Sequence, residues 1–176
     1  MVLTSPSRSN LVPYVAVIGP GAQATEEECE TAREAGRLLA DRNAIVVCGG
    51  LGGVMAAACQ GAFERGGTTV GLLPGRDRSA GNPYLTVAVP TGLGELRNGL
   101  VVRTSDAIIA VGGSWGTLSE VALAVRTGKP VVVIGGWRVE DPAHGLPEDR
   151  PVSAVSARDA VDRALRLAGS RLTDCP

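Results

Sequence analysis

The fold class is indicated most directly by residues 107–120, Ala107-Ile-Ile-Ala-Val-Gly-Gly-Ser-Trp-Gly-Thr-Leu-Ser-Glu120. Its first five residues form a continuous apolar run, which is typical of a strand that is buried on both faces. The glycine-rich turn that follows leads into a predicted helix from about Leu118 to Arg126. Residues 107–126 therefore predict a buried strand, a glycine-rich turn and a helix.

The same pattern occurs earlier in the chain. The apolar run 14–18 ends at Gly19-Pro-Gly21, and the next helix is predicted to begin at Thr25 and to end at about Arg42. Glu28 lies three residues after Thr25, the spacing of a capping box, in which each of the two side chains accepts a backbone amide of the other residue. A second copy of the strand, turn and helix pattern is thus predicted over residues 14–42.

A third copy lies between these two. The apolar run 44–48 enters Gly49-Gly-Leu-Gly-Gly53, and a helix of small residues is predicted over 54–65. Further strands are predicted at residues 68–73, 85–89 and 131–134, further helices over residues 93–104 and from Ser156 and Asp159 onward, and a loop over residues 137–151.

Alternating strands and helices favour a parallel sheet, because right-handed crossover connections place the helices on its faces. The predicted fold class is α/β, a Rossmann-like three-layer fold with a mainly parallel sheet flanked by helices. In such folds ligands bind outside the carboxyl ends of the strands. The turns at residues 19–21, 49–53 and 112–116 are therefore expected to meet at one edge of the sheet.

Length and composition are those of a globular protein. The chain has 176 residues, which suits one domain; we expect a flexible segment over 1–12, a single nucleotide-binding domain over 13–170 and a tail over 171–176. The formal net charge of -1 favours neither nucleic acid nor an anionic membrane as a partner. No segment is apolar enough for a membrane span or a secretory signal, so a cytoplasmic location is expected.

The cysteine and histidine content does not indicate a metal centre. The four cysteines have no CxxC spacing and are interpreted as structural thiols. His144 is the only histidine and has no acidic cluster near it in the sequence. We therefore predict no metal site and no required cofactor.

Glycine-rich turns that open helices can bind anions, because their bare amides and the helix dipole favour negative charge. Gly112 to Thr117 is the stronger candidate, since it adds two hydroxyl groups. Glu120, in the first turn of the predicted helix, would place a carboxylate beside the anion; the alternative is that it only complements the helix dipole. The alternative for Gly49 to Gly53 is that these glycines only allow close packing, and Trp115 could stack on a ligand or cover a subunit contact. The predicted binding residues are Gly19, Gly49, Gly50, Gly52, Gly53, Met55, Gly112, Gly113, Ser114, Trp115, Gly116 and Thr117.

Two motifs carry a family resemblance. The segment from Arg97 to Glu120, with Gly112-Gly-Ser-Trp-Gly-Thr-Leu-Ser-Glu120 at its end, resembles the central signature of the Lonely Guy (LOG) proteins, once named lysine decarboxylases. That signature is an arginine, an apolar strand and PGGxGTxxE. Cys48-Gly-Gly-Leu-Gly-Gly-Val-Met55 resembles the first glycine motif of the same family, and the resemblance extends over roughly residues 14–134.

The resemblance implies a homo-oligomer, at least a dimer, that binds a small phosphorylated ligand at the GGxGT turn. In the enzyme branch of the family the N-glycosidic bond of a nucleoside 5′-monophosphate is hydrolysed. By position, Glu120 would then stabilise the cationic ribosyl centre or orient water, and Arg97 would hold the carboxylate or the phosphate. These two residues are the predicted catalytic pair.

Departures from the signature point to a side branch. Gly112 replaces the leading proline, Ser114 replaces the second glycine, and Asn98 replaces the lysine that usually follows the arginine. In these respects the chain resembles the branch that includes molybdenum cofactor carrier proteins. The resemblance therefore leaves two functions open, a phosphoribohydrolase and a non-catalytic carrier or sensor of the molybdenum cofactor or a nucleotide. A dinucleotide-dependent oxidoreductase is disfavoured, because the glycine spacing differs from GxGxxG.

Overall fold

The computed structural model describes residues 11–137 and 151–174, the last four of these by their backbone only. Its strands are β1 (Tyr14–Ile18), β2 (Ile45–Cys48), β3 (Thr69–Leu73), β4 (Val87–Pro90), β5 (Ala107–Val111), β6 (Val131–Ile134) and β7 (Val152–Ser153). Its helices are α1 (Glu26–Asp41), α2 (Val54–Glu64), α3 (Asn98–Thr104), α4 (Trp115–Arg126) and α5 (Ala157–Asp174). Two short 3₁₀ helices cover Arg78–Ala80 and Gly94–Arg97.

The seven strands form one sheet in the order β4-β3-β2-β1-β5-β6-β7. Every pairing between them is parallel. The chain builds outward from β1 to β4 on one side and from β5 to β7 on the other. β1 and β5 therefore lie side by side at the point where the direction of strand addition reverses, which is where α/β folds of this type bind ligands.

Helices cover both faces of the sheet, so the central strands β1, β2 and β5 are buried on both sides. One cluster of buried side chains includes Val15 and Val17 of β1 together with residues of α1, α2 and α5. The other includes Ala16 and Ile18 with residues of α3 and α4. Successive residues of a strand point to opposite faces, which explains why these runs are continuously apolar. The fold is α/β and Rossmann-like, as predicted.

Capping determines where the helices begin. The hydroxyl of Thr25 accepts the amide of Glu28, whose carboxylate accepts the amide of Thr25, so the predicted capping box is present. The prediction for α4 was wrong by three residues, because Ser114 caps this helix by accepting the amide of Thr117 and α4 begins at Trp115. Glu120 consequently lies in the second turn of α4 and not in the first.

Other differences are small. The helix predicted over 93–104 is a 3₁₀ helix over Gly94–Arg97 followed by α3 from Asn98. β4 lies one to two residues later than the predicted 85–89. β7 was not predicted, because two residues are too few to show a periodic pattern. α5 continues to Asp174 and so includes part of the segment that the sequence analysis assigned to a tail. Most of the predicted loop 137–151 lies outside the described residues.

Candidate functional site

A cleft of about 700 Å³ opens at the carboxyl edge of the sheet, next to the ends of β1 and β5. Its walls come from Ile18 and Gly19, the turn after β2, the start of α4 and residues 94–98. Pockets of this volume accommodate ligands of nucleotide size. The cleft thus lies at the edge where the sequence analysis expects the glycine-rich turns to meet.

The beginning of α4 offers backbone amides to the cleft. Ser114, Trp115, Gly116 and Thr117 all line it. The first amides of a helix have no partner within the helix, and here Ser114 satisfies only that of Thr117. The Ser114 and Thr117 hydroxyl oxygens also lie 2.9 Å apart within hydrogen-bonding distance. The amides of Trp115 and Gly116 are therefore the ones placed to bind an anion.

Arg97 is a buried cation at the wall of this cleft. It ends the 3₁₀ helix Gly94–Arg97 and is only 8% exposed. A Cβ atom added to Gly49 would lie 2.6 Å from Cζ of Arg97, so the guanidinium group rests directly on this glycine. The Nε atom of Arg97 is buried and has no hydrogen-bond partner. A buried donor without a partner is costly, so Arg97 keeps an unused hydrogen bond at the wall of the cleft.

Glu120 faces the same guanidinium group. It is 7% exposed, and its Oε1 lies 3.9 Å from Nη1 of Arg97, which is too long for a hydrogen bond. Burial raises the pKa of Glu120 to about 7, and the charge of Arg97 opposes this shift. Near neutral pH this carboxyl group can therefore exist in both its protonated and its ionised form.

The turn after β1 is a packing element. A Cβ on Gly19 would lie 2.5 Å from the carbonyl oxygen of Val111 and 2.7 Å from Cγ1 of Val54. The amide of Val54, the first of α2, donates to the carbonyl of Pro20 at 3.0 Å. Gly19, although it lines the cleft, thus also joins the end of β5 to the start of α2.

Several other predicted glycines also have packing roles. Gly53 has a φ of +62°, and a Cβ there would lie 2.5 Å from the carbonyl oxygen of Pro20. The amide of Gly50 donates to Sγ of Cys48 at 3.2 Å, and that of Gly112 donates to the carbonyl of Ile134 at 2.9 Å. These two amides are already used within the protein, which for Gly50 agrees with the alternative that residues 49–53 only allow close packing.

The cleft brings together part of the predicted set. The predicted site residues that line the cleft are Gly19, Met55, Arg97, Ser114, Trp115, Gly116, Thr117 and Glu120. Those that lie outside its lining are Gly49, Gly50, Gly52, Gly53, Gly112 and Gly113. Sequence reasoning missed Leu51, Pro74, Glu95 and Leu96, which also line the cleft. Leu51 and Leu96 lie next to predicted residues in sequence, and Glu95 lies two residues before Arg97, so proximity to the motifs was the available signal.

A pair of thiols lies behind the cleft. The Sγ atoms of Cys48 and Cys59 are 3.4 Å apart, both residues are fully buried, and Met55 packs with them. The hydrogen bond with Cys59, followed by that from Gly50, lowers the pKa of the Cys48 thiol, and burial opposes the shift. The hydrogen bond with Cys48 and then burial raise the pKa of the Cys59 thiol. Cys29, Cys48 and Cys59 are free thiols, of which Cys48 and Cys59 are buried, and Cys175 is outside the described residues.

In residues 11–137 and 151–174 there is no group of three or more His, Cys, Asp or Glu residues that could hold a metal ion. His144 is not among these residues. No helix in the described part of the chain is long and apolar enough to cross a membrane.

Solved structures with the same architecture extend over nearly the whole chain. The molybdenum cofactor binding protein of Rippkaea orientalis is 34% identical, with a TM-score of 0.81 over 90% of this chain and 98% of that one. The molybdenum cofactor carrier protein of Chlamydomonas reinhardtii is 32% identical, with a TM-score of 0.76 over 89% and 98% of the two chains.

Sequence comparison agrees with the structural similarity. An uncharacterised protein of Archaeoglobus fulgidus is 41% identical over 131 residues, which are 71% of this chain and 85% of that protein. The sequence profile of the SLOG cluster4 family matches residues 12–162. The chain therefore belongs to the SLOG cluster4 family.

Proposed function

We propose that this protein is a carrier that binds a small phosphorylated heterocyclic ligand of the molybdenum cofactor type in the cleft beside α4. The observation that carries the proposal is the buried guanidinium group of Arg97, whose Nε has no partner, beside the open amides of Trp115 and Gly116. Together they form an anion site in a cleft of suitable volume. The similarity to a molybdenum cofactor binding protein over 98% of that chain supports this choice of ligand.

The residues of the cleft suit the chemistry of such a ligand. The phosphate would accept the amides of Trp115 and Gly116, and the hydroxyl of Thr117 could contribute a further donor. Arg97 would supply the positive charge, since a guanidinium group binds an oxyanion with two parallel hydrogen bonds. The ring system would then occupy the rest of the cleft, whose lining includes Leu51, Met55 and Trp115.

The test is to identify what the protein carries. Wild type and Arg97→Gln would be purified from molybdate-replete cells, and molybdenum and oxidised pterin would be measured per mole of protein. Gln retains much of the side-chain length but loses the charge. We expect bound pterin and molybdenum in the wild type and a loss of both in the variant. A wild-type protein that carries neither, while it carries a nucleotide, would contradict the proposal.

A second candidate function is hydrolysis of the N-glycosidic bond of a nucleoside 5′-monophosphate. It is favoured by Glu120, a buried carboxyl group with a pKa of about 7 in the same cleft. In this reaction the C1′–N bond breaks with its electron pair leaving on the base, water adds to C1′, and a proton of that water is transferred to the base. Ionised Glu120 would stabilise the positive charge that develops on the ribosyl group or would orient the water.

Incubation with AMP and GMP distinguishes the two functions. A hydrolase would release free base and ribose 5-phosphate, and Glu120→Gln would lower the rate by roughly 100-fold or more. A carrier would release nothing from either nucleotide in the wild type or the variant, while a bound nucleotide would still raise the melting temperature. We favour the second outcome.

We also propose that the protein is a cytoplasmic homo-oligomer, at least a dimer, without nucleic-acid or membrane partners. The proposal rests on the resemblance to the LOG proteins, on the near-neutral charge, and on apolar side chains near Arg97 in sequence that are exposed to solvent in a single chain. Leu96 is 81% exposed, and Leu93 and Leu100 are also exposed. Light scattering tests this proposal, and a pure monomer would contradict it.

A further inference from the structure

The two tryptophans of the chain lie against each other at the carboxyl edge of the sheet. Trp115 begins α4 and Trp137 follows β6, yet their ring centroids are 5.0 Å apart with a tilt of 41°. They are the only two tryptophans in the sequence. Trp115 is 76% exposed and Trp137 is 43% exposed. This pair therefore presents a large aromatic surface to solvent, which is unusual unless the surface binds something.

The neighbouring glycines make room for this pair. A Cβ on Gly113 would lie 2.5 Å from Cδ1 of Trp137, so any larger residue would displace the indole ring. Gly136 has a φ of +74°, and a Cβ there would lie 2.5 Å from the carbonyl carbon of Gly112. The turn after β6 is thus packed on the turn after β5, and this contact places Trp137 behind Trp115.

The exposed indole adjoins the anion site. Trp115 lines the cleft together with Ser114, Gly116 and Thr117. An aromatic surface next to amides that bind phosphate suits a ligand in which a phosphate is joined to a planar heteroaromatic ring. Stacking of such a ring on an aromatic side chain contributes roughly 10-fold or more to affinity.

We infer that Trp115 determines specificity by stacking on the heteroaromatic ring of the ligand, and that Trp137 is a positioning residue that holds Trp115 in place. The inference rests on the proposed function, because it assumes that a phosphorylated ligand occupies the cleft. It adds that the site selects phosphorylated heterocycles over phosphorylated sugars, and that the selection comes from an aromatic pair assembled by two turns.

The test compares GMP with ribose 5-phosphate by isothermal titration calorimetry. The guanine of GMP contains the 2-amino-4-oxopyrimidine ring that pterins also contain, whereas ribose 5-phosphate has the phosphate without the ring. Trp115→Ala should weaken GMP binding by roughly 10-fold or more and ribose 5-phosphate binding by less than about 2-fold. Trp137→Ala should weaken GMP binding to an intermediate extent, and Trp137→Phe should restore it.

Fluorescence gives a second readout that a purely structural role would not change. In Trp137→Phe, Trp115 is the only tryptophan, so quenching by GMP but not by ribose 5-phosphate would report stacking on this ring. The inference is overturned if Trp115→Ala binds GMP as the wild type does, weakens both probes equally, or changes the oligomeric state on size-exclusion chromatography. If the wild type binds neither probe at millimolar concentration, the inference is overturned, whereas the proposed function is decided separately by the measurement of bound pterin and molybdenum.

Discussion

The guanidinium group of Arg97 lies directly on the α-carbon of Gly49, with no room for a side chain between them. Arg97 comes from the segment before α3, and Gly49 is the first residue after β2. Two segments that are distant in sequence thus place one buried cation at the wall of the cleft. Gly49 does not line the cleft, but it determines where the cation can lie.

This contact predicts that Gly49→Ala weakens ligand binding without unfolding the protein. The new methyl group would lie 2.6 Å from Cζ of Arg97, at the far end of a flexible side chain that can move away. We expect roughly a 10-fold loss of affinity for GMP, measured by calorimetry, and little change in melting temperature. Gly75→Ala is the matched control, since a Cβ there has no atom within 4 Å. Equal affinity in Gly49→Ala and wild type would contradict the proposed role of Arg97.

Gly53→Ala is expected to act on stability. Gly53 has a φ of +62°, which strains any residue other than glycine. Carbonyl groups of the turn after β1 also occupy the space that a Cβ would need. A change of rotamer relieves neither the strain nor the clash. We expect a loss of about 3 kcal/mol or more in the free energy of unfolding. Gly66→Ala has a similar φ of +69° but open space around its Cβ, so it should lose only about 1 kcal/mol. Chemical denaturation measures both, and equal losses would show that the packing contact is unimportant.

Glu120→Gln should stabilise the protein at alkaline pH. The pKa of Glu120 is raised from 4.5 to about 7 in the folded state, so the folded protein holds this proton more tightly than the unfolded chain does. Stability from this group is therefore fully present below pH 4.5 and is lost as pH rises through 7. Each pKa unit corresponds to about 1.4 kcal/mol, so the free energy of unfolding falls by about 3 kcal/mol over this pH range.

Glutamine cannot ionise, so the variant avoids this loss. Between pH 5 and pH 8 its melting temperature should gain roughly 5 °C or more relative to the wild type. Glu27→Gln, at an exposed position of α1, is the control for the removal of a carboxylate. A pH-independent difference between Glu120→Gln and wild type would show that the carboxyl group titrates normally.

The thiols of Cys48 and Cys59 should be protected from alkylation in the folded protein. Both are fully buried and hydrogen-bonded to each other, and the thiolate is the reactive form. Cys29 is partly exposed and serves as an internal comparison. We expect iodoacetamide followed by peptide mass mapping to show modification of Cys29 well before Cys48 or Cys59, and modification of all three after denaturation. Rapid labelling of Cys48 in the native protein would mean that the turn after β2 opens readily.

Much of the fold could be predicted from local patterns. The apolar runs that became β1, β2 and β5 are each followed by glycines and a helix, and this repetition indicates a parallel sheet with its turns at one edge. The start of α4 was misplaced because Ser114, a cap, lies inside the glycine-rich motif. β7 has only two residues and leaves no periodic signal.

The site was predictable only in part, for a physical reason. Arg97 and Glu120 belong to a recognisable sequence motif, and in the structure Nη1 of Arg97 lies 3.9 Å from Oε1 of Glu120. Whether a glycine amide is free or already used depends on contacts between distant segments. Gly50 is engaged by Cys48, Gly112 by Ile134 and the start of α2 by Pro20, and no spacing rule reveals these partners. The position of Trp137 behind Trp115 likewise depends on the packing of two turns.

Close packing fixes the turn after β1, and this affects how ligands enter and leave the cleft. Gly19 is wedged between Val111 and Val54, and Pro20 and Gly21 lie against the start of α2, so this side of the cleft is preorganised before any ligand arrives. A preorganised wall adds little ordering entropy to the cost of association. Ligand exchange should therefore be governed by the exposed rim around Trp115, and substitutions there should change residence time more than substitutions in the turn that preserve folding.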